Sequence, residues 1–185
     1  FEVLSDSRIF DLRQWSNENT GQRSAPYSYS RIQIRRKEDS AGTNLRLQSL
    51  SSDEDLRFVC LTDSVNARYF RASQPNDKFL WEINLDLSHM AIGDDSELDF
   101  AGRVISEYAN ASETEGRFQF TLQADTGVVQ IWILMPQDRE YTNFEISGYP
   151  VGRSEERKTI IPTSKVELPV GSIATFQIIN PSSEF

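Results

Sequence analysis

The chain is poor in the residues on which most chemistry depends. Among 185 residues there are one Cys, one His and two Met. A single Cys excludes an intramolecular disulfide, and with it a small stapled secreted scaffold. It also weighs slightly toward a reducing, cytoplasmic compartment, while an extracytoplasmic domain of an anchored protein stays open. One Cys and one His are too few for a structural zinc site, and they exclude iron–sulfur ligation by several Cys. The nine glycines form neither Gly-x-Gly-x-x-Gly nor a Walker sequence, so the common phosphate-cradling loops are missing. Long apolar runs are missing too. The longest, Val128 to Met135, is broken by Gln130 and falls far short of the ~20 residues a membrane helix needs. Membrane insertion by this segment is not expected.

Positive charge is also scarce. Asp and Glu number 28 against 19 Lys and Arg, giving a net charge of −9. Residues 1–80 hold 12 basic and 11 acidic side chains, so the acidity belongs to residues 81–185, with 7 basic and 17 acidic. Such a chain repels phosphate backbones, and nucleic acid is not an expected partner.

What the chain does have is material for a core. Eleven Phe, six Tyr and three Trp make 11% of it aromatic, and its length suits one globular domain, residues 1–185. It begins at Phe1 and not Met, which suggests a fragment of a larger protein, with any signal peptide, membrane helix or further domain lying upstream.

The dominant pattern has period two, the signature of strands with one buried face. Phe79, Trp81, Ile83, Leu85 and Leu87 alternate with Leu80, Glu82, Asn84 and Asp86. Ile32 with Ile34, Leu45 with Leu47, Leu56 with Phe58 and Cys60, and Phe118 with Phe120 and Leu122 repeat it. The run 128–134 is apolar on both parities, as a central strand covered on both faces would be. Asp125-Thr126-Gly127 reads as a hairpin turn before it. Further strands are expected at 8–12, 144–149, 159–161, 165–168 and 173–179, punctuated by Pro162, Pro169 and Pro181. Residues 97–109 fit a helix or a strand. Gly102 and the surrounding β pattern favour the strand. The expected fold is all-β, an antiparallel β-sandwich of jelly-roll or Ig-like kind, with roughly ten strands and at most one short helix.

Candidate chemistry is thin. Asp86-Leu87-Ser88-His89 holds the residue types of a catalytic triad, but neighbours at one strand end seldom converge into one, and no nucleophile elbow accompanies them. Cys60 shares parity with Leu56 and Phe58, so it reads as a core thiol. An oxygen-only cation site is the one metal arrangement left open. Asp94, Asp95, Glu97 and Asp99 would supply carboxylates to calcium, although no EF-hand spacing is present and a solvated acidic turn explains them more simply. Tyr27, Tyr29, Arg31 and Arg35 share one strand parity, and form the candidate ligand-binding face, suited to an acidic partner or a sugar. A solvated sheet face protected by charge is the plainer account. Trp15, Tyr69, Phe70 and Tyr149 are placed near strand ends or loops, where they would stack on sugars or pack under loops. Asn110-Ala111-Ser112 is a glycosylation sequon.

These features point to a non-catalytic binding or sensory domain that recognises a protein or small ligand, with no obligatory cofactor. The alternatives are a carbohydrate-binding module with a structural calcium, a carboxylate-dependent enzyme such as a glycosidase, and an oligomerising structural part.

Overall fold

The computed structural model describes residues 1–13, 27–40, 42–51, 58–74, 78–103, 122, 124–135, 141–148, 158–168 and 173–179. Among them all regular structure is extended and there is no helix. No helix is long and apolar enough to cross a membrane among these residues. The strands are β1 (Glu2–Asp11), β2 (Tyr27–Arg35), β3 (Asn44–Ser51), β4 (Phe58–Cys60), β5 (Asn66–Gln74), β6 (Lys78–Asp86), β7 (Asp95–Arg103), β8 (Thr126–Leu134), β9 (Tyr141–Gly148), β10 (Lys158–Leu168) and β11 (Ile173–Ile179). A six-stranded sheet runs in the order β11-β8-β1-β2-β7-β4, and a three-stranded sheet in the order β3-β6-β5. β9 and β10 pair with each other.

Period-two patterning explains several of these elements. β2 buries Ser28, Ser30, Ile32 and Ile34 and exposes Tyr27, Tyr29, Arg31 and Arg35. β7 buries Leu98 and Phe100, which resolves the 97–109 ambiguity in favour of a strand up to Arg103. Residues 104–109, and the strand expected around Phe118, lie outside the described residues. β8 is interior to its sheet as expected, but only Thr126, Val129, Ile131 and Ile133 are buried; Val128, Gln130, Trp132 and Leu134 are half-buried. Thr126 and Gly127 belong to β8 itself and not to a turn. The strands expected at 159–161 and 165–168 are one strand, β10. Its register slips between Ile161 and Ser164, which is where Pro162 is accommodated.

The expectation of a wholly antiparallel sheet is corrected. β1 and β8 run parallel, from Val3 opposite Thr126 to Asp11 opposite Leu134. Alternation of side chains is the same in either orientation, so the pattern carried no information on direction. Gly127 is needed for this pairing, because a Cβ there would lie 2.6 Å from the Leu4 carbonyl oxygen.

One buried cluster draws on both larger sheets: Ile32, Ile34, Leu98 and Phe100 from the six strands, Leu47, Ile83 and Leu85 from the three, with Val65, Leu87 and Met90 beside them. A second cluster, Phe10, Leu12, Val129, Ile131, Ile133, Met135 and Ala174, belongs to β1, β8 and β11 and their ends. Asp6 stands between the two, paired across β1 with Ile32 on one side and Val129 on the other. It is only 4% exposed. Arg8, two residues on and on the same face, grips it with Nε to Oδ1 at 2.9 Å and Nη2 to Oδ2 at 2.7 Å. Ser30, opposite Arg8, is buried with its Oγ unpaired among the described atoms.

One edge of each larger sheet is tied to the other. The Tyr69 hydroxyl on β5 accepts the Cys60 amide of β4 at 2.9 Å, joining the outer strands of the two sheets. β4 continues past its end, where Leu61 N–H reaches the Asp99 carbonyl at 2.7 Å.

Removing one partner of a buried ion pair leaves the other charge without compensation. Asp6→Ala should therefore destabilise the fold by about 3–5 kcal/mol in urea unfolding, whereas Asp6→Leu combined with Arg8→Met should recover most of that loss. Equal stability of Asp6→Ala and the native chain would show that the pair is solvated.

Candidate functional site

The two groups of residues that the sequence offered separately, an aromatic–arginine face and an acidic stretch, meet on the outward face of the six-stranded sheet. β2 and β7 pair so that Arg31 stands opposite Asp99, Gln33 opposite Glu97 and Arg35 opposite Asp95. Arg31 donates from Nε and Nη2 to the two carboxylate oxygens of Asp99, at 2.7 and 3.1 Å. Its Nη1 also lies 3.4 Å from Glu97. Arg35 holds Asp95 in the same two-pronged way, at 2.7 and 3.0 Å. Such forks match the planar guanidinium to the carboxylate and fix both side chains.

The acidic stretch is thus mostly strand and not turn. Only Asp94 lies before β7; its Oδ2 accepts the Ala91 amide at 2.8 Å, and Gly93, with φ of 87°, turns the chain there. Gly93 N–H bonds the Arg36 carbonyl at 2.8 Å, so the turn is tied to the end of β2. Asp95, Glu97 and Asp99 are spaced along the strand at steps of roughly 7 Å, and line up instead of converging. No cluster of three or more His, Cys, Asp or Glu side chains suited to a metal ion forms among the described residues.

Tyr27 and Tyr29 continue the same face and are exposed. Sheet register extends this into a row that sequence reasoning missed: Thr175, Trp132, Ile9, Tyr29, Ala101 and Val59 lie side by side on six successive strands. At ~4.8 Å between strands the row spans about 24 Å. Ile9, Tyr29 and Val59 are exposed, and Trp132 and Ala101 half-buried. Two arginine–carboxylate forks flank it. On one side Arg31 holds Asp99; on the other Arg13 holds Asp11, with Nε–Oδ1 at 2.9 Å and Nη2–Oδ2 at 2.7 Å. The signal available in the sequence was the second parity of the 128–134 run, where Trp132 sits opposite to the buried Ile131 and Ile133.

The other candidates fall elsewhere. Asp86 Oδ1 accepts the Ser88 amide at 3.0 Å, and the Ser88 hydroxyl also bonds Asp86, while His89 is exposed. This is a strand-end turn that serine closes on the aspartate. Those bonds to Ser88 hold the Asp86 carboxyl below its ordinary value. Cys60 packs half-buried against the first cluster, as its parity implied. Tyr69 and Phe70 lie inside β5 and not at a strand end or loop. Trp15, Tyr149 and the sequon at Asn110 lie outside the described residues.

The forks leave an electrostatic mark. The hydrogen bonds from Arg35, with its charge adding to them, hold the Asp95 carboxyl below its ordinary value, against a smaller opposing effect of desolvation. Arg13 does the same to Asp11. A carboxyl lowered in the folded state stabilises the fold above its unfolded pKa, and that contribution fades as pH falls through the folded value. Carbon-detected NMR titration should find the Asp95 midpoint below that of an unfolded aspartate, and Arg35→Gln should return it toward that value. An unchanged midpoint in Arg35→Gln would show that the fork does not persist in solution.

In comparisons with known proteins, no family model and no curated sequence matches the chain.

Proposed function

We propose that the chain is a non-catalytic binding domain, built as a β-sandwich, that takes a protein or small ligand on the outward face of its six-stranded sheet. The observation that carries this reading is the row of Trp132, Ile9, Tyr29 and Val59 between two arginine–carboxylate forks. Exposed apolar surface rimmed by polar groups is the usual character of an interaction site. Each outward carboxylate of β7 faces or contacts an arginine or Gln33, which suits positioning more than proton transfer.

A sugar ligand is the second reading. It is favoured by Tyr27 and Tyr29, two aromatic rings on one face beside the paired donors of Arg31. A structural calcium belongs to this reading only, and would displace Arg31 or Arg35 from its carboxylate.

A ligand screen read by two-dimensional NMR tests the proposal, using glycan, short-peptide and small-aromatic libraries. Hits should perturb the amides of Ile9, Tyr29, Ala101 and Val59, and Tyr29→Ala should weaken them by ~10-fold or more. Perturbations confined to residues off this face would overturn it. Peptide or aromatic hits without glycan hits would remove the sugar reading, and an unchanged melting temperature in calcium would remove the cation.

A further inference from the structure

The outward face of the six-stranded sheet carries a sign. The outward residues of β4, β8 and β11 hold no charge. Among the described side chains of β1, β2 and β7, and Arg13 just past β1, three outward groups are basic: Arg13, Arg31 and Arg35. Five are acidic: Glu2 and Asp11 on β1, and Asp95, Glu97 and Asp99 on β7. Each arginine is taken up by a fork, Arg13 by Asp11, Arg31 by Asp99 and Arg35 by Asp95. Five carboxylates against three guanidinium groups leave two negative charges in surplus, and the carboxylates outside the forks are Glu97 and Glu2. The Glu97 side chain is 57% exposed, and reaches at 3.4 Å an arginine that Asp99 already holds at 2.7 Å. Glu2 stands opposite Arg35, across β1 and β2.

The basic residues of β2 therefore present little positive charge to a ligand. An acidic partner, which Arg31 and Arg35 suggest in sequence, would meet committed guanidinium groups and surplus carboxylates. The complement has the opposite sign, and the net charge of −9 steers such a partner toward the chain. Distance adds a second condition. Ala101 lies in the apolar row and Glu97 four residues back along β7, so the surplus charge begins ~13 Å from the row. A compact ligand on Tyr29 does not span that gap, whereas about four residues of extended peptide do.

We propose that the outward face binds a basic segment of a protein partner: apolar side chains of the segment lie on Ile9, Tyr29 and Trp132, and lysine or arginine residues beside them meet Glu97 and Glu2. This rests on the reading of the row as the ligand face, and names the chemistry of its occupant.

Three synthetic peptides test it, sharing one pattern of leucine and tyrosine and carrying lysine, glutamine or glutamate at the remaining positions. Titration calorimetry at low salt should find the lysine peptide bound at least ~10-fold tighter than the glutamine peptide, and the glutamate peptide weakest. The advantage should shrink as salt rises toward ~0.15 M, where exposed charges are screened beyond about 8 Å. Glu2→Gln combined with Glu97→Gln should remove most of it, with an unchanged circular dichroism spectrum. Two-dimensional NMR should place the binding on the amides of Ile9, Tyr29 and Ala101. Equal binding of the three peptides, tighter binding of the glutamate peptide, no binding of any, or a lysine preference that survives both substitutions overturns the inference. In each of these cases the ligand-face reading stands if other ligands still perturb those amides. Perturbations confined to another surface remove both.

Discussion

The Asp6–Arg8 pair sets the terms on which the inward face is built. It sits on β1, with β2 on one side and β8 on the other, where an apolar strand would have joined the two buried clusters into one. Arginine and aspartate two residues apart on a strand share a face, so the two charges meet locally. The neighbouring Ser28 and Ser30 on β2 make the seam polar in depth. A polar seam of this kind gives the sheet a fixed register: moving β1 by one residue would turn the pair outward and Ile9 inward. Gly127, pressed against the Leu4 carbonyl, enforces the same register from the β8 side.

On the opposite face the same strands are finished with a different chemistry. Arginine–carboxylate forks there are exposed, and their value lies less in stability than in holding side chains still. A guanidinium already committed to a carboxylate presents a flat, pre-set edge beside the aromatic rings. The face therefore combines apolar area with polar groups already held in place, and in the proposed binding role this would lower the entropy lost on contact. The arrangement depends on β2 and β7 being adjacent although sixty-eight positions separate Arg31 from Asp99.

How much of this was legible in the sequence follows from where each signal resides. Alternation is local, so β2 and β6 could be read directly; β8, apolar on both parities, could be read as a strand but not for which face is inward. β5 could not, because Tyr69 and Phe70 are adjacent aromatics of opposite parity and Arg71 shares the inward parity with Tyr69. Arg71 lies 5.8 Å from the Trp81 ring, a cross-strand contact that replaces the missing apolar alternation. Strand direction and order are non-local, so the parallel pairing of β1 with β8 left no trace in the pattern. For the same reason the sequence supplied Tyr27, Tyr29, Arg31 and Arg35 as one set and Asp95, Glu97 and Asp99 as another. Only register could reveal that the second set pairs with the first, or that Ile9 and Trp132 extend the row.

The parallel contact of β1 with β8 bears on how the chain is made. Ser7 hydrogen-bonds Gln130, 123 positions later. During synthesis β1 emerges with β2 soon after it, and an antiparallel pair of these two can form early. Its other side must wait for β8. Long-range pairing of this kind slows folding and leaves an open strand exposed meanwhile. A charged centre disfavours pairing of such an open strand with another chain.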